Sequence, residues 1–260
     1  MSINRDLDLN SIIGGWKYSR DRITTRIIMG KDGKKRIQLR IDLGLLQMRL
    51  SGRPDGKRPY GHQSVLDYFK SRLQKSKSGG DEFLLTKNNC DDLRQEAVQY
   101  YHRYLAYYHM EEYNNVIRDT NHNIEIFELV KKYSDDEEES IYFAQFLPML
   151  IYVNAKATAL SSINSRRRAE AITAIDKAIK SIGDFFKDNY EDSLTEIPEI
   201  ESLISFRKEI LQDKRVHSEL DDLNERLKRA IDLENYEEAA ILRDKIISMK
   251  KSKKGLHKPL

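Results

Sequence analysis

The 260-residue sequence holds one cysteine, Cys90, one tryptophan, five prolines and twelve glycines. One thiol cannot close an internal disulfide, and alone it cannot supply a structural zinc site, which takes about four N or S ligands. Stability must therefore come from packing, and the scarcity of Gly and Pro leaves long stretches free for helices. No window approaches the roughly eighteen uncharged apolar residues of a membrane span, and residues 1–20 alternate charged and apolar positions where a signal peptide would have an apolar core. The expectation is a cytoplasmic protein with no membrane contact. Phosphate-loop, Gly-x-Ser-x-Gly and dinucleotide-glycine patterns are absent, as are paired Cys-x2-Cys, zinc fingers, RNP-type aromatics and a clear recognition helix. Cys90 stands beside Asp91 and Asp92, without the cations that lower a thiol pKa. The sequence thus points away from an enzyme, names no catalytic residue, and implies no cofactor and no metal.

Charge is plentiful and unevenly placed. Residues 1–80 carry 18 Lys and Arg against 7 Asp and Glu, residues 81–215 carry 17 against 26, and residues 216–260 carry 10 against 9. A basic end of this kind meets an acidic partner or a phosphate backbone, or the two ends face each other in an assembly.

From Arg22 to Leu50 apolar residues alternate: Ile23, Ile27 and Met29, then Ile37, Leu39 and Ile41, then Leu46, Met48 and Leu50. This predicts a three-strand meander, with Asp32-Gly33 at a tight hairpin turn and Asp42-Leu43-Gly44 at the second link. The opposite parity presents Arg26, Arg36, Gln38, Arg40, Gln47 and Arg49, and the loop 51–59 adds Arg53, Lys57 and Arg58. Three readings fit such a basic face: solubility and edge protection, nucleic acid held through phosphates with Trp16, Tyr18 and Tyr60 as stacking surfaces, or an acidic protein. A helix over about 63–73, with Val65, Leu66, Phe69 and Leu73 inward, is expected to cover the apolar sheet face. The stretch Ser76–Gly80 reads as a flexible domain link.

Helical periodicity follows. Asn89 is a candidate cap for a helix whose stripe includes Leu93, Ala97, Tyr100, Tyr104 and Tyr108; a second helix runs from Tyr113 to Tyr133. The acidic run 134–139 reads as a turn opening a third helix over 138–161, with a kink or new start at Leu147-Pro148. Arg166–Tyr190 is a fourth helix, and Pro198 opens a fifth. Tyr100, Tyr101, Tyr104, Tyr107 and Tyr108 either sit in the core of this array or line a binding groove. His102, His109 and Glu112 supply only part of a metal site and read equally as interface residues. These paired helices resemble the tetratricopeptide arrangement, although the Gly and Ala positions of that repeat are mostly absent.

Near the C-terminus, Leu220, Leu223, Leu227, Ala230 and Ile231 form one stripe. After an interruption at Glu234-Asn235, a second is formed by Tyr236, Ala239, Ala240, Arg243, Ile246 and Ile247. They predict an antiparallel hairpin of about 35 residues, too small to stand alone, with spare apolar surface at Leu233, Leu242 and Met249. From Leu223 and Leu227 through Leu233-Glu234-x-Tyr236-Glu237-x-Ala239-Ala240-x2-Arg243-Asp244-x-Ile246, these residues resemble the UVR motif of the excinuclease subunits UvrB and UvrC. The resemblance implies a protein-interaction element, as in the joining of UvrB to UvrC or in related hairpins that work with Clp-type chaperones. It implies contact or support roles for Leu227, Tyr236, Ala239, Ala240, Arg243 and Ile246. The run 42–62 is also similar to uncharacterised bacterial proteins that end in such a hairpin.

The expected fold is α+β, mostly α: an antiparallel β-meander plus helix over 1–80, a tetratricopeptide-like α-hairpin array over 81–213, a helical hairpin over 214–250 and a basic tail over 251–260. A hinge near His217 or a continuous helix joins the last two parts. The expected function is a non-enzymatic protein-interaction scaffold or adaptor, binding a UVR-type or Clp-type partner or a second copy of itself. The alternative is a nucleic-acid-binding accessory factor, related to DNA repair, that uses the basic face.

Overall fold

The alternation of residues 22–50 becomes three antiparallel strands, β1 (Thr25–Met29), β2 (Lys35–Ile41) and β3 (Gly44–Arg49), in the order β1-β2-β3. The computed structural model describes residues 8–80, 82–189, 197–212, 219–233 and 235–255. In the register, Ile27 faces Ile37 and Ile37 faces Met48; on the other side Arg26 faces Gln38 and Gln38 faces Gln47. Gly33 supplies the left-handed residue of the first turn at φ 71°. Asp32 accepts hydrogen bonds from the Lys34 amide and the Arg36 guanidinium, which hold its carboxyl below the usual range. The second turn is the two-residue Asp42-Leu43, because Ile41 pairs directly with Gly44.

Only β2 and β3 bury the apolar face. Ile37, Leu39 and Met48 are buried, whereas Ile27 and Met29 on the edge strand β1 are 47% and 61% exposed. The cover is not the helix expected to provide it. Helix α2 (Val65–Gly79) packs Val65, Leu66 and Phe69 against Leu93, Ile126 and Val130. Ile37, Leu39 and Met48 instead meet Tyr104, Tyr107 and Val116 of α3 (Lys87–His109) and α4 (Tyr113–Tyr133). The inward stripe of α2, Val65, Leu66 and Phe69 with Leu73 partly buried beside them, is taken up by α3 and α4, and the large aromatics of α3 cover the sheet instead. Residues 76–79 are the last turn of α2 and not a linker; Gly80 closes it in the left-handed conformation.

Helices α3 and α4 are antiparallel, as Arg103 meeting Asp119, Tyr100 meeting His122, and Ala97 meeting Asn123 require. The cap of α3 is Thr86, not Asn89; Asn89 sits three residues inside, and its Oδ1 accepts from the Thr86 amide. Helix α5 (Glu137–Ala144) begins at Asp136, whose side chain accepts from the Glu138 amide, and α6 (Leu147–Asn164) restarts at Pro148. Residues within 137–164 are, by composition, long and apolar enough to cross a membrane, contrary to the expectation above; 39% of that window is buried in the fold. Asn154 within it donates to Thr120 Oγ1, Asn121 Oδ1 and the Ile117 carbonyl.

Two compact units divide at Ala157 and Thr158. The sheet therefore shares its unit with the helices up to α6, and the residue-80 boundary is not where the contacts thin. The second unit contains α7 (Arg168–Asn189) and α8 (Pro198–Gln212), with Ala171, Ile175, Ile182 and Leu203 fully buried, then α9 (Glu219–Asp232) and α10 (Tyr236–Gly255). Helix α10 continues to Gly255, across the residues expected to begin a tail. The expected hinge at His217 lies outside the described residues, as do 256–260.

Candidate interaction hairpin

The hairpin α9–α10 is built by its cap and its small residues. Asn235 precedes α10; its Oδ1 accepts from the Glu238 amide at 3.3 Å and its Nδ2 donates to Glu238 Oε2 at 3.2 Å. The Asn235 amide also donates to the Ala230 carbonyl at 2.8 Å, tying the new helix to the end of α9. Buried Ala230 and Ala239 let the helices approach closely. Leu223 of α9 and Leu242 and Ile246 of α10 complete an enclosed core, with Leu227 half-buried beside them. Arg226 and Glu238 pair across the two helices at 3.4 Å.

This core divides the sequence-derived interface residues into two sets. Leu223, Ala239, Leu242 and Ile246 are spent inside the hairpin, and Leu227 supports them. Leu242 in particular is not spare surface: three residues after Ala239 and four before Ile246, it lies on the inward stripe. Leu233, Tyr236, Ala240 and Arg243 face solvent, Leu233 at 79% and Tyr236 at 68% exposure. Positions 236, 240, 243 and 247 follow four- and three-residue steps and so share one face of α10. Ile247, 43% exposed, extends that stripe, and Ile231 at the end of α9 is exposed as well. The side chains of Leu220 and Met249 lie outside those described.

The seven cations of the alternative site are largely engaged within the protein. Arg26 donates to Gln38 Oε1 at 2.7 Å and to the Ile12 carbonyl, and stacks over Trp16 at 4.2 Å. Arg40 donates to the carbonyls of Trp16 and Gly44. Residues around Trp16 thus lie over the face they were expected to serve as an open platform. Arg36 pairs with Asp32 at 2.6 Å. Arg53 is interior, 8% exposed, beside Asp55 and Glu96; burial beside a fully buried carboxylate turns it inward. Arg49, Lys57 and Arg58 remain at the surface.

Of the tyrosines, Tyr100, Tyr104 and Tyr107 are buried, Tyr108 is half-buried and Tyr101 is exposed. Burial pushes the Tyr100 hydroxyl up to about 12. Among the described residues no three His, Cys, Asp or Glu side chains gather to hold a metal. Sequence reasoning passed over Glu96, Arg103 and Asp119, all with fully buried side chains. Glu96 accepts from the amides of Val65 and Leu66, capping α2 from a neighbouring helix, and from His122 Nε2 at 3.0 Å. Spacing carried a trace of this: residues 96 and 103, seven apart, flank the apolar stripe of α3.

Comparison with curated proteins and with solved structures gives no match. Residues 218–252, the hairpin just described, match the family model of the UvrB/uvrC motif, so the chain carries a UVR motif at its C-terminal end.

Proposed function

We propose that this chain is a non-enzymatic, cytoplasmic protein-interaction adaptor whose contact surface is the exposed stripe Tyr236, Ala240, Arg243 and Ile247 with Leu233 at the hairpin turn. One observation carries this reading: the hairpin closes its own core with other residues and leaves an aromatic, an arginine and aliphatic side chains in solvent. Tyr and Arg are the residue types that concentrate binding energy at protein interfaces. A two-helix element of this size buries too little to be an independent end in itself, and an unpartnered apolar stripe is stabilised by covering. The match to the UvrB/uvrC motif supports a protein partner of UVR type, and the resemblance extends that to Clp-type partners or a second copy of the chain.

The test is affinity purification with mass spectrometry on full-length protein and on Tyr236→Asp and Arg243→Glu variants, together with light scattering for self-association. The expected result is loss of the specific partner, or of the dimer, in both variants while far-UV circular dichroism is unchanged. An identical partner set and mass in all three proteins would remove the proposal.

A further inference from the structure

Strand β1 is an outer edge of the sheet, and one side of its backbone is open. The Arg40 amide donates to the Thr24 carbonyl at 2.9 Å and the Gly30 amide to the Lys34 carbonyl at 2.8 Å. In an antiparallel pair this alternation turns the N–H and C=O of Arg26 and Ile28 toward β2, and those of Thr25, Ile27 and Met29 outward. Among the described residues none of these outward groups has a partner. The opposite edge differs, because the outward amide of Arg49 on β3 donates to the Pro54 carbonyl at 2.8 Å.

The side chains of Ile27 and Met29 lie on the apolar face, where the cover that α3 gives β2 and β3 stops short and leaves them 47% and 61% exposed. Strand β1 has no proline and its register has no bulge, two common devices that stop an edge from pairing. Its surroundings are strongly basic. Arg20 and Arg22 precede the strand, Lys31, Lys34 and Lys35 follow it, and all five are exposed. None of them pairs with a carboxylate among the described residues. Against them stands Asp21, since Asp32 is taken up by Arg36.

We propose that β1 receives an extended segment of another protein as a further strand, with apolar side chains at the centre of that segment and carboxylates toward its two ends. The outward N–H and C=O groups supply main-chain hydrogen bonds, Ile27 and Met29 supply cross-strand apolar pairs, and the flanking cations select an acidic partner. A second copy of this strand would set the same five cations against each other. Nucleic acid would leave the outward backbone row and the two apolar side chains unused. This edge is separate from the hairpin stripe, so the two readings stand or fall independently.

The probe is a synthetic peptide of about seven residues, the length of an ordinary strand, with valines at its centre and glutamates at its ends. It is titrated into the full-length ¹⁵N-labelled chain, and amide exchange is followed by NMR. The amides of Thr25, Ile27 and Met29, open to solvent before, should exchange roughly tenfold more slowly when the peptide is bound, while those of Arg26 and Ile28 are protected throughout. The same peptide N-methylated on its edge-facing residues should bind roughly tenfold more weakly. Met29→Pro removes one outward N–H and no ladder bond, and should weaken the unmodified peptide roughly fivefold. The double variant Lys31→Glu with Lys35→Glu, at exposed positions, should weaken it by about as much at low salt and less at high salt. It keeps the edge testable if Met29→Pro fails to fold. The proposal is overturned if the three outward amides are already protected in the free monomer, if the peptide protects none of them up to its solubility, if the methylated peptide binds equally well, or if neither variant weakens binding. It is overturned as well if their protection rises with protein concentration alongside a doubled mass in light scattering, which assigns the edge to a second copy. A single-stranded oligonucleotide that perturbs these amides where the peptide does not would likewise remove it.

Discussion

Arg103 and Asp119 show what one pair of residues contributes. Arg103 Nε and Nη2 donate to the two Asp119 oxygens at 2.6 and 2.8 Å, and Nη1 donates to the carbonyls of Arg49 and Gly52. One guanidinium therefore fastens α3 to α4 and both to the loop after β3. Tyr107 adds its hydroxyl to the Leu50 carbonyl at 2.6 Å, and Arg118 donates to the same carbonyl and to Asp119. Asp119→Ala leaves a fully buried cation without its counter-charge, and loss of about 3–5 kcal/mol is expected in urea denaturation. His102 sets a different dependence. Burial holds its pKa below 6.5, so the unfolded chain takes up the proton more readily. Its contribution is complete above about 6.5 and is lost as pH falls through the lower folded value. Between pH about 7.5 and about 5 the wild type should lose more stability than His102→Gln, and the imidazole resonance of His102 should titrate below that of an unstructured histidine.

Elements divide according to whether their cause is local. The bounds of α4, the break before Pro148 and the start of α8 at Pro198 were legible because a proline or an interrupted stripe marks each one. The strands were legible from alternation and from Gly33. The position of α2 was not, since which helix covers a sheet depends on competing stripes elsewhere in the chain. Glu96, Arg103 and Asp119 look solvated in a sequence because a charge shows its burial only through partners brought near by folding. The hairpin was legible as a hairpin; the division between core and surface needed coordinates to settle the phase of α10 by one residue, placing Leu242 inside and Ala240 outside. This phase predicts opposite behaviour for neighbouring substitutions. Leu242→Ala should weaken amide-exchange protection across α9 and α10, by about 2–4 kcal/mol, because it empties the small core. Tyr236→Ala, at an exposed site, should change protection by less than about 0.5 kcal/mol.

At the scale of the whole molecule, the basic N-terminal segment finds part of its acidic partner within the chain. Arg53 lies beside Glu96, Lys70 pairs with Glu125, and the Tyr60 hydroxyl donates to Asp92, each link running from the first 80 residues to α3 or α4. The charge asymmetry that suggested an external acidic surface is thus used in joining the sheet and α2 to the acidic helices. Apolar contacts join the same elements, Val65 and Phe69 of α2 packing with Leu93 and Ile126, and Ile37 and Met48 of the sheet with Tyr104 and Tyr107, so the chain divides at residue 157 and not at residue 80, and Ile175, Ile182 and Leu203 are buried separately in the second unit. Separate cores should melt as separate cooperative units. Calorimetry of the full chain should therefore resolve two transitions, with Leu93→Ala lowering one and Ile182→Ala the other, each cavity costing about 2–5 kcal/mol. One transition displaced equally by both substitutions would show that the two units do not unfold separately.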